Sequence, residues 1–435
     1  MSTTAPAPSS SPAVRPPAPK TSFAARFGWP LGFLLLGVLV FSFNHWVLPD
    51  ASSDLRSGFN EWLPMTAVNE AVIWAIFALG LNIVVGYSGL LDLGYVAFWG
   101  IGGYVAGWLM APFANQVAPQ WSGLSFNFFG HPLPGQDRGI HINFWLVLII
   151  AALVCALAGV IIGAPTLRLK SDYLALVTLG FGEILPEVFR NGAKVGPDGA
   201  WNITNGVQGI TSIDLIPMGP FALIPGVPDT LGVFDLTFKF LVYAFLLGLA
   251  MFVSLRIREG RLGRAWLAIR EDELAASMMG VPLMRIKLSA YAVGAAFGGI
   301  GGVAFATHIG GVLADRFNFS ISIILLAMVV LGGMGNVWGV TVGALTLAWI
   351  NSTGLAQLGN VWNDVTGAEV NFASHNFLIF GVILVLFMLF RREGLIPEAR
   401  TRQVLQEPER GEIESLGAEM EGTSEETAAE GTHKK

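Results

Sequence analysis

The apolar stretch TLGFGEILPEV at 178–188 carries a carboxylate, Glu183, near its centre. An ionisable side chain inside a membrane-spanning segment is a functional candidate by default, because burying its charge is costly. Two glycines and Pro186 weaken the helix that this stretch would form, and broken helices can bind small charged solutes near the membrane midplane. We predict that Glu183 and Thr178 line or shape a polar route. The alternative is that Glu183 only hydrogen-bonds a broken backbone or a neighbouring helix.

A second polar stretch, GYSGLLDLG at 86–94, joins two apolar runs and contains Tyr87, Ser88 and Asp92. Its three glycines favour an irregular link rather than a continuous helix. We predict that Tyr87 and Ser88 contribute hydroxyl groups to the same route. Asp92 is expected at a water-accessible interface, where a carboxylate needs no functional explanation.

A third stretch, GRAWLAIREDELAASMMGVP at 263–282, is charged and rich in helix-forming residues. Asp272 can cap a helix that begins at Glu273, where negative charge favours the positive end of the helix dipole. Gly280 suits the end of the helix, and Pro282 prevents its continuation. The pattern predicts a helix of two to three turns.

One face of this predicted helix is apolar, because Leu274, Met278 and Val281 recur at helical spacing. Met278 is followed by Met279, and methionine side chains adapt to varied contact surfaces. The face could rest among lipid headgroups, or it could dock on a partner protein. A short helix held between two membrane spans would transmit motion to or from such a partner.

The composition places these stretches in a helical membrane protein. The chain has 435 residues, of which 53% are hydrophobic and only 13% charged, and its mean hydropathy is +0.60. Soluble domains carry roughly 25% charged residues. Apolar runs of about 20 residues recur, and such runs cross a bilayer as helices because every backbone group must be paired internally.

The predicted fold class is therefore all-α, a polytopic membrane protein with about ten transmembrane helices, some of them broken or short. The predicted spans are 28–48, 65–86, 90–110, 143–164, 172–190, 238–257, 288–310, 319–333, 338–353 and 376–390. The eighth and ninth are separated at LGGMGNVWG, since glycine and asparagine favour a turn there.

The distribution of basic residues predicts the orientation. Nineteen Lys and Arg fall on the side that carries both termini, and six fall on the other side. Cytoplasmic loops carry the excess of basic residues, so both termini and the loop 258–287 are expected in the cytoplasm. The segment 191–237 then faces outward and, being rich in Gly, Pro and Asn, is expected to form a structured cap or a series of turns.

Both ends of the chain are predicted to be disordered, which leaves 27–397 as the transmembrane domain. Residues 1–26 are rich in Ala, Pro and Ser, and residues 398–435 form an acidic tail. From 403 onward, nine Glu and three basic residues give a charge of −6, which equals the formal net charge of the whole chain. The remainder is neutral overall, so nothing in it indicates nucleic-acid binding.

Five separated stretches resemble, in order, the branched-chain amino acid ABC permease family of the LivM type. They are LGLNIVVGYSGLLDLGYVAFWGIGGY, LRLKSDYLALVTLGFGEI, GRAWLAIREDELAASMMG, VVLGGMGN and RREGLIP. Within the third, the pattern Glu273-x-Ala275-x4-Gly280 resembles the EAA loop of ABC importer permeases. The resemblance covers roughly 65–397. It departs from the family at Thr204-Asn205-Gly206, where Thr-Gly-Gly is usual, although Asn205 tolerates a positive φ better than most residues.

The resemblance implies a transport subunit rather than an enzyme. It implies an importer of Leu, Ile and Val in a bacterial inner (plasma) membrane, in contact with membrane lipid. The expected partners are a second related permease, two cytoplasmic ATPase subunits and a periplasmic or external amino-acid-binding protein. Glu273, Ala275, Met278 and Gly280 would then couple this chain to an ATPase subunit. The partner subunits would hydrolyse ATP, and no cofactor is expected on this chain itself.

Absent motifs exclude several other functions. None of the seven lysines follows a glycine, so a phosphate loop ending in Gly-Lys-Ser/Thr is missing. No HExxH motif occurs and Cys155 is the single cysteine, so we predict no metal site and no catalytic residue. Two alternatives remain open. One is a permease of the same superfamily for urea, short amides or another small polar solute, and the other is an ion-coupled secondary transporter that acts alone.

Overall fold

A computed structural model describes most of the chain. The described residues are 23–117, 120, 123–126, 139–169, 171–196, 201–218, 228–367, 370–390 and 394–396. The acidic tail and residues 1–22, both predicted to be disordered, lie outside this part. Helix α1 begins at Phe23, four residues before the predicted start of the transmembrane domain.

The described chain is mainly α-helical. In order, the helices are α1 (Phe23–Ser42), α2 (Leu48–Asp50), α3 (Ser53–Trp62), α4 (Met65–Leu81), α5 (Val96–Leu109), α6 (Ala114–Val117), α7 (Phe144–Thr166), α8 (Ser171–Asn191), α9 (Leu236–Glu259), α10 (Arg261–Glu271), α11 (Glu273–Met278), α12 (Leu283–Ile309), α13 (Phe319–Gly332), α14 (Val337–Trp349), α15 (Leu355–Thr366) and α16 (Asn376–Phe390). Wider π-helical turns occupy Phe43–Val47, Asn82–Tyr87 and Ile350–Gly354.

Seven short strands accompany the helices among the residues that the structure describes. They are β1 (Met110–Ala111), β2 (Leu124–Phe126), β3 (Ile140–Ile142), β4 (Ile210–Thr211), β5 (Ile216–Pro217), β6 (Thr230–Leu231) and β7 (Gly311–Val312). β3 pairs antiparallel with β1 and parallel with β2, while β4 pairs with β7 and β5 with β6, both antiparallel. All seven lie at one end of the helical bundle, which we call the strand end.

The bundle has a second end, formed by α10, α11 and the turns that pack beside them, which we call the α10–α11 end. Contacts between distant segments define both ends. Asp214 N–H donates to Met110 O over 2.7 Å at the strand end, and Leu395 N–H donates to Leu331 O over 2.8 Å at the other. Among the described residues, ten helices run between the two ends in alternating directions, namely α1, α4, α5, α7, α8, α9, α12, α13, α14 and α16.

These helices confirm the all-α polytopic fold class. In the described part of the chain, five helical segments are long and apolar enough to cross a bilayer, namely Ser53–Tyr87, Phe144–Thr166, Leu236–Glu259, Leu283–Ile309 and Ala314–Gly332. Several other helices are shorter. The predicted span 90–110 becomes helical only at Val96, because residues 88–95 form the irregular link that their glycines favour.

Helix α12 is the centre of the bundle, and its glycines allow the close packing. A Cβ at Gly294 would lie 2.4 Å from Val84 Cγ2, and one at Gly302 would lie 2.5 Å from Trp99 O. Small residues let helix backbones approach in this way. The glycines of α12 therefore pack within this chain, against α4, the turn that follows it and α5.

The described part of the predicted outer segment 191–237 lies at the strand end, where it contributes β4, β5 and β6. Asn205 adopts φ 60°, which confirms that it can occupy the left-handed position of the turn. A buried hydrogen bond of 2.8 Å between His141 Nδ1 and Asp214 Oδ2 connects β3 to this segment. Burial raises the pKa of the Asp214 carboxyl, and its hydrogen bond to His141 opposes the rise.

Candidate functional site

Helix α10 fastens the α10–α11 end to the bundle through one tryptophan and one arginine. The indole Nε1–H of Trp266 donates to Ile286 O over 3.0 Å and to Ser289 Oγ over 3.1 Å, and the ring is fully buried. The Arg270 guanidinium donates to Gly86 O at the end of α4. Helix α10 is therefore bonded both to α12 and to the Asn82–Tyr87 turn that follows α4.

Helix α11 is short and closed at both ends. The Asp272 carboxylate accepts from Leu274 N–H at 2.8 Å and from Ala275 N–H at 3.0 Å, which is an N-cap. Gly280 has φ 82° and donates to Ser277 O, while Val281 donates to Ala276 O, so the helix ends in a Schellman motif.

The predicted caps of α11 are thus confirmed, but its predicted length of two to three turns is wrong. Its six residues make less than two turns. Asp272 is extended, with φ −154°, and therefore separates α11 from α10 instead of extending one longer helix. The charged residues that precede Asp272 belong to α10.

The predicted apolar face of α11 points away from the protein. Leu274 is 67% exposed, Met278 79% and Met279 86%. We call these three residues the docking face. Val281, the third member of the predicted stripe, is only half-buried, and Ala275 is exposed beside the face. Large apolar side chains exposed on one short helix suit contact with lipid headgroups or with a partner protein.

An ion pair connects α11 to α12. Lys287 Nζ donates to Glu273 Oε1 over 2.6 Å, and the Lys287 side chain is only 9% exposed. A cavity of about 240 Å³ lies beside the pair and is lined by Ser88, Glu273, Arg270 and Lys287, among other residues. Two of the predicted stretches, 86–94 and 263–282, therefore meet at this cavity.

Tyr87 and Ser88 are buried and make hydrogen bonds within the protein. The Tyr87 hydroxyl lies 3.2 Å from Ser254 Oγ, and its ring stacks over Trp266 with 6.5 Å between centroids. Ser88 Oγ donates to Val84 O over 2.7 Å. The Tyr87 hydroxyl and ring therefore hold the Asn82–Tyr87 turn against α9 and α10, whereas the Ser88 hydroxyl bonds within its own turn.

Asp92 does not lie at a water-accessible interface. It is fully buried, and its Oδ1 accepts from Gly94 N–H over 2.9 Å. The prediction failed because residues 88–95 fold back into the bundle instead of crossing its surface. Thr178 packs against the same link, since its Oγ1 accepts from Leu93 N–H over 3.1 Å and donates to Ala175 O.

Glu183 lies on the outer face of α8, apart from the other three predicted route residues. It is exposed, and it makes no hydrogen bond or ion pair with the described residues. The predicted break in its helix is wrong, because α8 is continuous over Ser171–Asn191 with Pro186 inside it. A Cβ at Gly182 would lie 3.2 Å from Gly94 Cα, so this glycine serves packing against the 88–95 link.

Three residues that organise the α10–α11 end were not predicted, namely Trp266, Arg270 and Lys287. A buried tryptophan within a charged segment was the available signal for the first. The two basic residues looked like ordinary cytoplasmic charges, since their partners, Gly86 O and Glu273, are distant in sequence or on another helix.

A protein-family model described as the branched-chain amino acid transport system permease component matches residues 63–390. The chain belongs to this permease family. The permease is 36% identical, over 341 residues, to a Salmonella typhimurium protein named high-affinity branched-chain amino acid transport system permease protein LivM, covering 76% of this chain and 69% of the relative. The Escherichia coli LivM protein shares 36% identity over 344 residues, with the same coverage.

A shorter similarity connects the permease to a differently named protein of the same kind. The E. coli branched-chain amino acid permease protein LivH is 28% identical over 163 residues, which is 38% of this chain and 48% of the relative. No solved structure matches the chain. The predicted family of the LivM type is confirmed by the family match and the LivM relatives.

Proposed function

We propose that this permease is the membrane subunit of an ATP-driven importer of branched-chain amino acids, and that α11 docks on an ATPase subunit. The LivM relatives, which match 76% of this chain, favour branched-chain amino acids over urea or short amides as the substrate. The permease forms part of the route, and separate subunits hydrolyse ATP. It therefore uses no cofactor, metal or catalytic residue of its own.

The observation that carries the proposal is the docking face of Leu274, Met278 and Met279, displayed on a short, doubly capped helix. Flexible methionine side chains suit a contact that must persist while the partner changes shape. Three neighbouring residues support the docking face. Glu273 forms the ion pair with Lys287, and Ala275 donates its N–H to the N-cap Asp272. Gly280 forms the terminal turn. Motion of the ATPase would pass through α10 to α4 and α12.

The proposed orientation places the α10–α11 end in the cytoplasm. Arg256 and the loop 258–287 that follows it carry seven of the nineteen basic residues assigned to that side, which agrees with the excess of positive charge in cytoplasmic loops. Residues 394–396 pack on α13 at the same end. Both termini would therefore be cytoplasmic, with the strand end facing an external, or periplasmic, amino-acid-binding protein across a bacterial inner membrane.

The outer face of α8 supports a second, related permease as partner. Exposed apolar side chains surround Glu183 on this face, including Leu176 at 66% and Ile184 at 57%. An ionised carboxylate is costly against lipid, so this face is better covered by protein or by a water-filled route. We place the substrate route between the two permeases, with Glu183 exposed to it. The buried residues Tyr87, Ser88 and Thr178 shape the wall of the route from within this chain.

The test replaces Leu274 and Met278 by Ala together. Leu262→Ala is the matched control, because Leu262 is an exposed leucine of α10 outside the docking face. Each form is co-expressed with its ATPase and partner permease, purified and reconstituted with the binding protein. We expect the double variant to lose ATPase co-purification or leucine uptake at least about fivefold, as truncation of central interface residues does, while the control matches the parent. Normal co-purification and uptake by the double variant would overturn the docking role.

A further inference from the structure

A cavity of about 420 Å³ opens at the strand end, where α4, α13 and α16 diverge. Its volume falls in the range of roughly 300–1,000 Å³ that is typical of small-molecule sites. Glu70 of α4 and Arg316, which precedes α13, both line it, together with apolar side chains that include Trp74, Phe305 and Ile324. The cavity lies far from the α10–α11 end and shares no residue with the cavity there.

We propose that this cavity is an entry site for a zwitterionic amino acid, in which Glu70 binds the ammonium, Arg316 binds the carboxylate and the apolar walls receive an aliphatic side chain. The proposal rests on the proposed function and adds to it a substrate-binding position on the permease itself.

Glu70 is held ready for a ligand. Its Oε1 accepts from the Trp74 indole Nε1–H at 3.3 Å, which orients the carboxylate. Within the described part of the chain, its other oxygen makes no hydrogen bond and no cation pairs with it. Arg316 attracts this carboxylate electrostatically but is not in direct contact with it. A half-buried carboxylate with no cation in direct contact is costly, and a ligand ammonium would offset that cost.

Arg316 is equally available. Its neighbour Asp315 pairs with Arg190 at 2.8 Å, so the local carboxylate is already engaged. The Arg316 guanidinium is exposed and forms no ion pair or side-chain hydrogen bond with the described residues. Guanidinium groups bind carboxylates through two parallel hydrogen bonds, which gives direction as well as affinity. Glu70 and Arg316 attract each other electrostatically but form no salt bridge, so the opposite ends of one ligand can bind between them.

The deep side of the cavity is aromatic. Trp99 packs edge-on against Phe305 with 4.6 Å between ring centroids and against Trp74 with 5.4 Å. Trp99 is 1% exposed, and its indole N–H has no acceptor among the described residues. Buried donors are normally paired, so this one marks the cavity as a place where a polar ligand group or water completes the bonding. The aromatic floor would stop the ligand at the strand end until α5 or α12 moves.

The test measures binding to the complete complex of both permeases and ATPases in lipid nanodiscs, without the binding protein and without ATP. Three probes compete with labelled leucine, namely leucine, 4-methylpentanoate, which lacks the ammonium, and 3-methylbutylamine, which lacks the carboxylate. The variants are Glu70→Gln and Arg316→Gln. The controls are Glu61→Gln and Arg56→Gln, which alter exposed charges at the strand end outside the cavity.

Glu70→Gln should weaken leucine binding about tenfold or more, as expected for loss of a charge-assisted hydrogen bond, and leave the affinity for 4-methylpentanoate unchanged. Arg316→Gln should weaken leucine binding similarly and leave 3-methylbutylamine unchanged. Both controls should bind as the parent does. Equal losses of affinity for all three probes would indicate general damage to the cavity and would overturn the assignment. Unchanged leucine binding in both variants would also overturn it. So would the absence of saturable leucine binding by the parent at millimolar concentration.

A parallel uptake assay separates this site from the proposed function. If the parent complex imports leucine with ATP and binding protein while both variants bind leucine normally, the entry site is wrong and the importer assignment stands. If the parent complex imports none of the branched-chain amino acids, the assignment itself fails, whatever the nanodiscs bind.

Discussion

Lys287 Nζ lies 2.6 Å from Glu273 Oε1, so an ion pair joins the first turn of α11 to α12. The lysine side chain is 9% exposed and the glutamate 52%. The nearly buried ammonium therefore depends on a partner that reaches in from the exposed helix. Since Asp272 caps the same turn, the tilt of α11 relative to α12 is determined from within the chain, before any partner binds.

Glu273→Lys is expected to uncouple ATP hydrolysis from transport, because two ammonium groups would then face each other and push α11 away from α12. The permease should still insert and assemble. The double variant Glu273→Lys/Lys287→Glu restores opposite charges and should recover at least part of the uptake. Glu259→Lys, at an exposed glutamate of the same end, is the control and should transport normally. Full uptake by the single variant in reconstituted vesicles would contradict the role of the pair.

Gly280→Pro is expected to abolish coupling as well. Gly280 has φ 82° and donates its N–H to Ser277 O, whereas proline requires φ near −65° and has no N–H. Gly280→Asn should be tolerated, because asparagine adopts the left-handed region at a lower cost than other residues and no atom lies within 4 Å of a Cβ at this position. The measurement is ATPase activity per leucine transported. Equal coupling in the two variants would show that the terminal turn of α11 is dispensable.

The sequence predicted the helical fold and the caps of α11 because both depend on local signals, namely apolar run length, Asp272 and Gly280. It did not predict that α8 stays continuous through Pro186, since the neighbouring helices, and not the local sequence, decide whether a membrane helix tolerates proline. The burial of Asp92 was missed for a similar reason, because the path of 88–95 depends on contacts with α8 and α12.

Hydropathy alone did not identify the charged cavity at the strand end. Glu70 lies inside the predicted span 65–86 and was overlooked, although an acid within an apolar run is the signal that selected Glu183. Arg316 was counted only as an outer basic residue. Helix α15 was also missed, because the predicted span ended at 353 and the amphipathic residues that follow do not resemble a membrane helix. Only the folded chain shows that Glu70 and Arg316 share a cavity.

The orientation can be tested with single cysteines, since the native Cys155 is fully buried. Val207, 62% exposed at the strand end, and Met279, 86% exposed at the other end, offer matched positions. In intact spheroplasts, a membrane-impermeant maleimide should label Val207→Cys at once and Met279→Cys only after permeabilisation. External protease should likewise spare the tail from 403 onward. Labelling of Met279→Cys from outside would reverse the proposed orientation.

Thr178→Val should destabilise the permease without changing its surface. The substitution keeps the shape of the side chain but removes the oxygen that accepts from Leu93 N–H at 3.1 Å. Leaving that buried donor unpaired costs about 1–3 kcal/mol, so thermal unfolding in detergent should occur at a lower temperature. Thr178→Ser keeps the hydroxyl and should be milder. Equal unfolding temperatures for the Val variant and the parent would mean that another acceptor replaces Thr178.

Glu183→Gln is expected to reduce leucine uptake while the complex stays assembled, because the variant keeps the size of the side chain and removes only its charge. Glu183 has no partner among the described residues, so a structural role would require contacts from another subunit. Glu187→Gln is the matched control. It lies one turn further along the same helix, but its carboxylate already pairs with Arg190 at 3.0 Å.

Uptake and co-purification of the partner permease are measured for both variants and for Glu183→Leu. If the Gln variant transports normally and the Leu variant fails to assemble, Glu183 shapes the interface and its charge does not serve the route. Normal uptake by both Glu183 variants would remove this residue from the mechanism altogether.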